Sequence, residues 1–171
     1  MEHPVLTLGD TDATVARGIS ALTRAGGAGD DSGAGRSPHA VLAFADLRDD
    51  SRHAAKERLR ALATLAAVET KRYPEIRHVV FIVLLPPRHA AAFDRIASRL
   101  GGRLHAEVER SNARDVEVTF LDASSCGDVA ALTERLLDRC DDPVGQHGVV
   151  VLEWDDIRDH SIRRAAHDQY L

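Results

Sequence analysis

Arg77-His78-Val79-Val80-Phe81-Ile82-Val83-Leu84-Leu85 carries no polar side chain from Val79 onward, and it is bounded by a charged pair before it and by Pro86-Pro87 after it. A strand covered on one face only would alternate apolar with polar residues, so an unbroken run predicts burial on both faces. Helices must then lie above and below it, which sets the fold class as α/β with three layers, helix over sheet over helix.

The flanking segments extend that reading. Pro4 to Leu8 reads as a short first strand, and His39-Ala40-Val41-Leu42-Ala43-Phe44-Ala45 as a second one. The longest helix is expected from about Ser51 to Tyr73, with Ala55, Leu59, Leu62 and Ala66 on one face and Pro74 as its stop. Pro87 suits the first turn of the next helix, with Phe93, Ile96, Ala97 and Leu100 inward and Gly101-Gly102 as a stop signal. Beyond the glycines, Leu104, Ala106 and Val108 alternate with His105, Glu107 and Glu109. Val116, Val118 and Phe120 likewise alternate with Glu117 and Thr119. That period of two predicts an antiparallel hairpin at the sheet edge, turning near Ser111 to Arg114, and hence a mostly parallel but mixed sheet. Val129, Leu132, Leu136 and Cys140 continue as the stripe of a helix, and Gly148 to Leu152 as another buried strand.

Length and composition bound what this layered domain does. The 171 residues suit a single domain over the whole chain, 1–171, large enough to bury a core without metal or disulfide staples. A net charge of −5 argues against a broad electrostatic grip on nucleic acid, although a local basic patch is compatible with that total. Cys126 and Cys140 are too far apart for a CxxC pair, the first residues do not resemble a signal peptide, and no apolar run approaches the ~20 residues that span a bilayer. The expectation is a chain of the reducing cell interior, cytoplasmic, with no membrane partner. Residues 25–38 are glycine-rich and poor in apolar side chains. They cannot offset an ordering entropy of ~1–2 kcal/mol per residue, so a flexible loop is expected.

Chemistry is expected beyond the carboxyl ends of the strands, where helix N-termini and loops converge. Asp10, Asp12, Asp46, Asp49, Asp50, Asp122, Glu153, Asp155 and Asp156 all follow strands and so gather at that edge. Converging carboxylates can hold Mg²⁺ for phosphoester hydrolysis, yet Asp is also the ordinary capping residue after a strand, and no metal ligand set is assigned. His3, His39, His78, His105 and His147 stand at or before strand starts and fall at the opposite edge, whereas His53, His89 and His160 follow strand ends. Cys126 with His89 as its base is a candidate dyad, set against the reading of Cys126 as a small residue packed under a helix cap.

Leu8-Gly9-Asp10-Thr11, followed by Asp12-Ala13-Thr14-Val15 and by Leu22 with Gly26-Gly27-Ala28-Gly29-Asp30, resembles the opening of macro domains. Those domains carry a strand ending Gly-Asp-Ile-Thr, then Asp-Ala-Ile-Val-Asn-Ala-Ala-Asn, then a glycine-rich loop. The resemblance implies a module for ADP-ribose or another nucleotide-like small molecule. By carry-over Asp10, with Thr11 beside it, contacts an adenine amino group, the backbone of Gly26, Gly27 and Gly29 approaches the diphosphate, and Phe120 lies near the adenine. Asp46 stands at the same edge. Where the family has Asn-Ala-Ala-Asn this chain has Ala16-Arg17-Gly18-Ile19, so the resemblance implies a binder rather than a hydrolase, with no cofactor. The two other readings are a metal-dependent phosphoester hydrolase built on the clustered carboxylates, and a ligand-free module whose Arg158, Arg163 and Arg164 face a protein partner.

Overall fold

A computed structural model of the chain describes residues 5–10, 16–18, 37–112, 114–144 and 148–169. Strands β1 (Val5–Gly9), β2 (Ala40–Asp46), β3 (His78–Leu84), β4 (Glu117–Asp122) and β5 (Val149–Glu153) form one sheet in that spatial order. Every neighbouring pair is parallel. Five helices are bounded among the described residues: α1 (Arg52–Arg72), α2 (Pro87–Asn112), α3 (Val129–Asp141), α4 (Trp154–Ile157) and α5 (Ile162–Asp168). No helix among the described residues is long and apolar enough to cross a membrane.

The apolar runs produce this arrangement directly. On β2 and β3 successive side chains alternate between faces. Val41, Ala43, Val79, Phe81 and Val83 pack under α1 and α2, while Leu42, Phe44, Val80 and Ile82 pack under α3 and α5. Both faces are dry, so neither strand has room for polar alternation. Ser51 caps α1 by accepting the Ala54 N–H at 3.2 Å, and Asp128 caps α3 by accepting the Ala131 N–H at 2.9 Å.

The connections through α1 and α2 cross one face of the sheet and the connection through α3 crosses the other, although all three step the same way from strand to strand. They therefore have opposite hands, and one set departs from the usual right-handed crossover. The chain leaving β3 and the chain leaving β4 diverge to opposite faces at their carboxyl ends.

Three expectations are corrected. The antiparallel hairpin does not form. Residues 104–109 belong to α2, which runs through Gly101-Gly102 to Asn112. Leu104 and Val108 extend the buried stripe of Phe93, Ala97 and Leu100 at helical spacing, a pattern that alternate residues also satisfy. Gly101 is a packing glycine and not a stop. A Cβ there would collide with Val149 Cγ1 and meet the Phe120 ring at 3.3 Å, so only glycine lets α2 lie this close to β4 and β5. The alternation in β4 has a different origin. Glu117 and Thr119 point into the protein, not to solvent, and Arg139 of α3 reaches both. Its Nη2 is 2.7 Å from Glu117 Oε2 and 3.4 Å from Thr119 Oγ1.

Candidate functional site

The carboxyl edge of the sheet does bring Asp10 and Asp46 together. Asp10 N–H donates to the Phe44 carbonyl at 2.9 Å, and Leu47 N–H to the Leu84 carbonyl at 2.8 Å, so the turns after β1, β2 and β3 meet. Their carboxylates are engaged by the chain itself. Asp10 Oδ2 accepts from the Asp46 N–H at 2.7 Å and from Arg58 Nη2 at 2.5 Å, while Arg58 Nη1 donates to Asp50 Oδ2 and to the Asp46 carbonyl, both at 2.8 Å. Asp46 itself accepts from Arg48 Nε at 2.9 Å, and that bond holds its carboxyl below the usual range. Where β3 and β4 diverge, Leu85 N–H donates to Ser124 Oγ at 2.6 Å and Ser124 in turn bonds Asp122. Among the described residues no group of three His, Cys, Asp or Glu side chains is placed to hold a metal ion. Asp156 accepts the Glu153 N–H at 2.8 Å in the capping box of α4, so both are occupied as cap residues.

The remaining expected site residues fall elsewhere. Thr11, Gly26, Gly27 and Gly29, with the rest of the 25–36 stretch, lie outside the described residues. Phe120 has no accessible surface: its ring stacks on Phe81 at 4.3 Å between centroids and meets Phe93 edge-on at 6.3 Å. It lies in the core, with no face to offer a ligand, because the strand that carries it is flanked by β3 and β5 and is not at an edge. The Cys126 Sγ–H donates to the Asp128 carbonyl at 3.3 Å and burial pushes the thiol up, the opposite of what an activated nucleophile needs. His78 is buried at the start of β3, and His105 is a helix residue whose Nδ1 lies 2.7 Å from the Val116 carbonyl.

A different site stands open on the α1/α2 face. Here the two helices enclose a groove of about 480 Å³. Arg52, Lys56 and Arg60 line it from α1, and Arg95, Arg99 and Arg103 from α2. Both rows have i, i+4 spacing, so each occupies one side of its helix, with neighbouring cations ~6 Å apart and a row ~12 Å long. Ala92, Ile96 and Leu100 form the floor, and His53 stands beside Arg52. Among the described residues only Arg60 of these six has an ion pair, with Glu57 at 2.5 Å. Further along the same seam the helices are joined conventionally, by Lys71 Nζ and Glu107 Oε1 at 2.7 Å. The near half instead sets like charges at i, i+4 along each helix, a destabilising arrangement.

Beneath the inner end of the groove, a cavity of about 20 Å³ shares Arg52, Lys56, Ala92 and Ile96 with it and reaches Leu85 and His89. His89, in the first turn of α2, is nine-tenths buried, and its Nδ1 has no hydrogen-bond partner among the described residues. Buried polar atoms are rarely left so, and an unpartnered one calls for an explanation.

No family model, curated protein or solved structure matches this chain. The groove was missed in the sequence because each row of cations looks like an ordinary solvated helix face. The signal that could have found it is the recurrence of the same basic i, i+4, i+8 ladder on two successive helices.

Proposed function

We propose that this α/β domain binds a nucleotide-like, phosphate-bearing small molecule, and that the phosphates lodge in the basic groove between α1 and α2. The observation that carries the reading is the pair of facing cationic rows, five of whose six members lack an ion pair among the described residues. Five of the six are arginines, whose planar fork of donors matches phosphate oxygens. The volume lies inside the few hundred to ~1,000 Å³ typical of small-molecule sites. The strand edge is less suited to phosphate, since Asp10, Asp46 and Asp50 stand there and already hold Arg48 and Arg58 in ion pairs.

ADP-ribose, the ligand implied by the macro-like opening of the chain, is one member of this class. Titration calorimetry with ADP-ribose and ATP tests the reading. Arg99→Ala should weaken binding roughly 10- to 100-fold, the loss of one charged hydrogen bond worth ~1.5–3 kcal/mol. Asp10→Asn should leave it unchanged. Affinity that falls with Asp10→Asn and not with Arg99→Ala would move the ligand to the strand edge, and the absence of binding at millimolar ligand would end the proposal.

A further inference from the structure

We infer, on the basis of the groove reading above, that the ligand is a compact polyphosphate with three or more phosphate groups, recognised through its phosphates and not through a base. The first argument is charge. Six facing cations with one carboxylate among them present an excess of about five positive charges within a single groove. A mono- or diphosphate would leave most of that repulsion in place, and only a more highly charged anion balances it.

The second argument is spacing. Successive cations along each helix stand ~6 Å apart, so a short anion touches one rung of the ladder while a longer phosphate chain, or several phosphates on one ring, touches all three. The third is what the groove lacks. Its lining contains no Phe, Tyr or Trp, His53 is its one aromatic ring, and its floor is Ala92, Ile96 and Leu100. The adjoining cavity of about 20 Å³ has room for one water and not for a nucleobase. What that cavity does offer is His89 Nδ1, a buried and unpartnered group at the inner end of the phosphate path.

A long nucleic acid is the competing polyanion. The groove is concave and short, with rows of ~12 Å, and the chain outside it is net acidic, since the total is −5 with the groove cations included. A ligand extending beyond the groove would meet that repulsion, whereas one contained within it would not.

The test is calorimetry on the full chain in magnesium-free buffer, with inorganic phosphate, pyrophosphate, tripolyphosphate, ATP, ADP-ribose and a short DNA duplex as probes. Affinity should rise roughly tenfold or more from pyrophosphate to tripolyphosphate, because the added phosphate makes at least one further charged contact. ATP should match tripolyphosphate. Arg95→Gln combined with Arg99→Gln, on exposed positions and checked for a melting temperature no lower than that of the wild type, should abolish the preference for the longer chain. Equal affinity for pyrophosphate and tripolyphosphate would overturn the ligand class while leaving the groove as a phosphate site. ATP or ADP-ribose binding far more tightly than tripolyphosphate would show a base or ribose being read, and a duplex outcompeting tripolyphosphate would make nucleic acid the ligand. If none of the anions binds, the groove reading itself fails.

Discussion

Replacing Arg139 by Met should strongly destabilise the domain, because of what the side chain leaves behind. Arg139 is 1% exposed in the last turn of α3 and Glu117 is 2% exposed at the start of β4. Arg139 Nη2 lies 2.7 Å from Glu117 Oε2, and Nη1 lies 3.3 Å from Asp142 Oδ2. Methionine fills most of the volume but removes the cation, so the buried Glu117 carboxylate loses its 2.7 Å contact with Arg139. The His78 ring does not take over. Its Nε2 donates to the Asp142 carbonyl at 2.8 Å, which leaves a bare Nδ1 lone pair toward Glu117. Breaking a buried pair from one side costs ~3–5 kcal/mol. For a chain of this length each kcal/mol moves the midpoint by ~2–4 °C, so the melting temperature should fall by roughly 6–20 °C. The double variant Arg139→Met with Glu117→Leu removes both charges and should recover most of the loss, since apolar replacements of buried pairs are often neutral or better. Thermal and urea unfolding followed by circular dichroism at neutral pH measure all three proteins. A single variant within about 1 kcal/mol of wild type would mean that water reaches the pair, and a double variant worse than the single one would mean that the charges are net stabilising.

Burial, with the Arg139 charge second, pushes the His78 imidazole down from 6.5 to about 4. The unfolded chain therefore binds a proton that the folded one refuses: His78 leaves stability intact above about pH 6.5 and removes up to roughly 3 kcal/mol as pH falls to about 4. Asp142, raised by burial, acts with the opposite sign in the acid range. A urea series against pH should show the fall, and His78→Gln should flatten it. Gly101→Ala should lower stability by ~1–3 kcal/mol through its clash with Val149 and Phe120, whereas Gly102→Ala, with open space around it, should raise stability by ~0.4–1 kcal/mol. Similar melting curves for these two variants would contradict the packing of α2 on β5. Arg58→Ala breaks the bonds to Asp10 and Asp50, but the arginine is 42% exposed, so a melt should show a loss within ~1 kcal/mol.

Short-range pattern alone carried much of the fold. The unbroken runs of β2 and β3 and the stripe of Ala55, Leu59, Leu62 and Ala66 were legible because burial on both faces, or on one helical face, writes itself into neighbouring residues. The segment 104–109 misled because Leu104 and Val108 fit a period of two as well as a helix, and Gly101 looked like a stop when only Phe120 and Val149 explain it. Glu117 looked exposed because its partner is Arg139, on another element.

The strand edge shows the same division: the sequence placed Asp10 and Asp46 there, and the packing of α1 supplied Arg58, which occupies Asp10. The groove lies wholly on the tertiary side. Arg52, Lys56 and Arg60 are separated from Arg95, Arg99 and Arg103 by the whole of β3, and a net charge of −5 hides them both. Periodicity tells each helix which side faces out. Only the order of strands in the sheet, by laying α1 beside α2, turns two solvated basic faces toward each other.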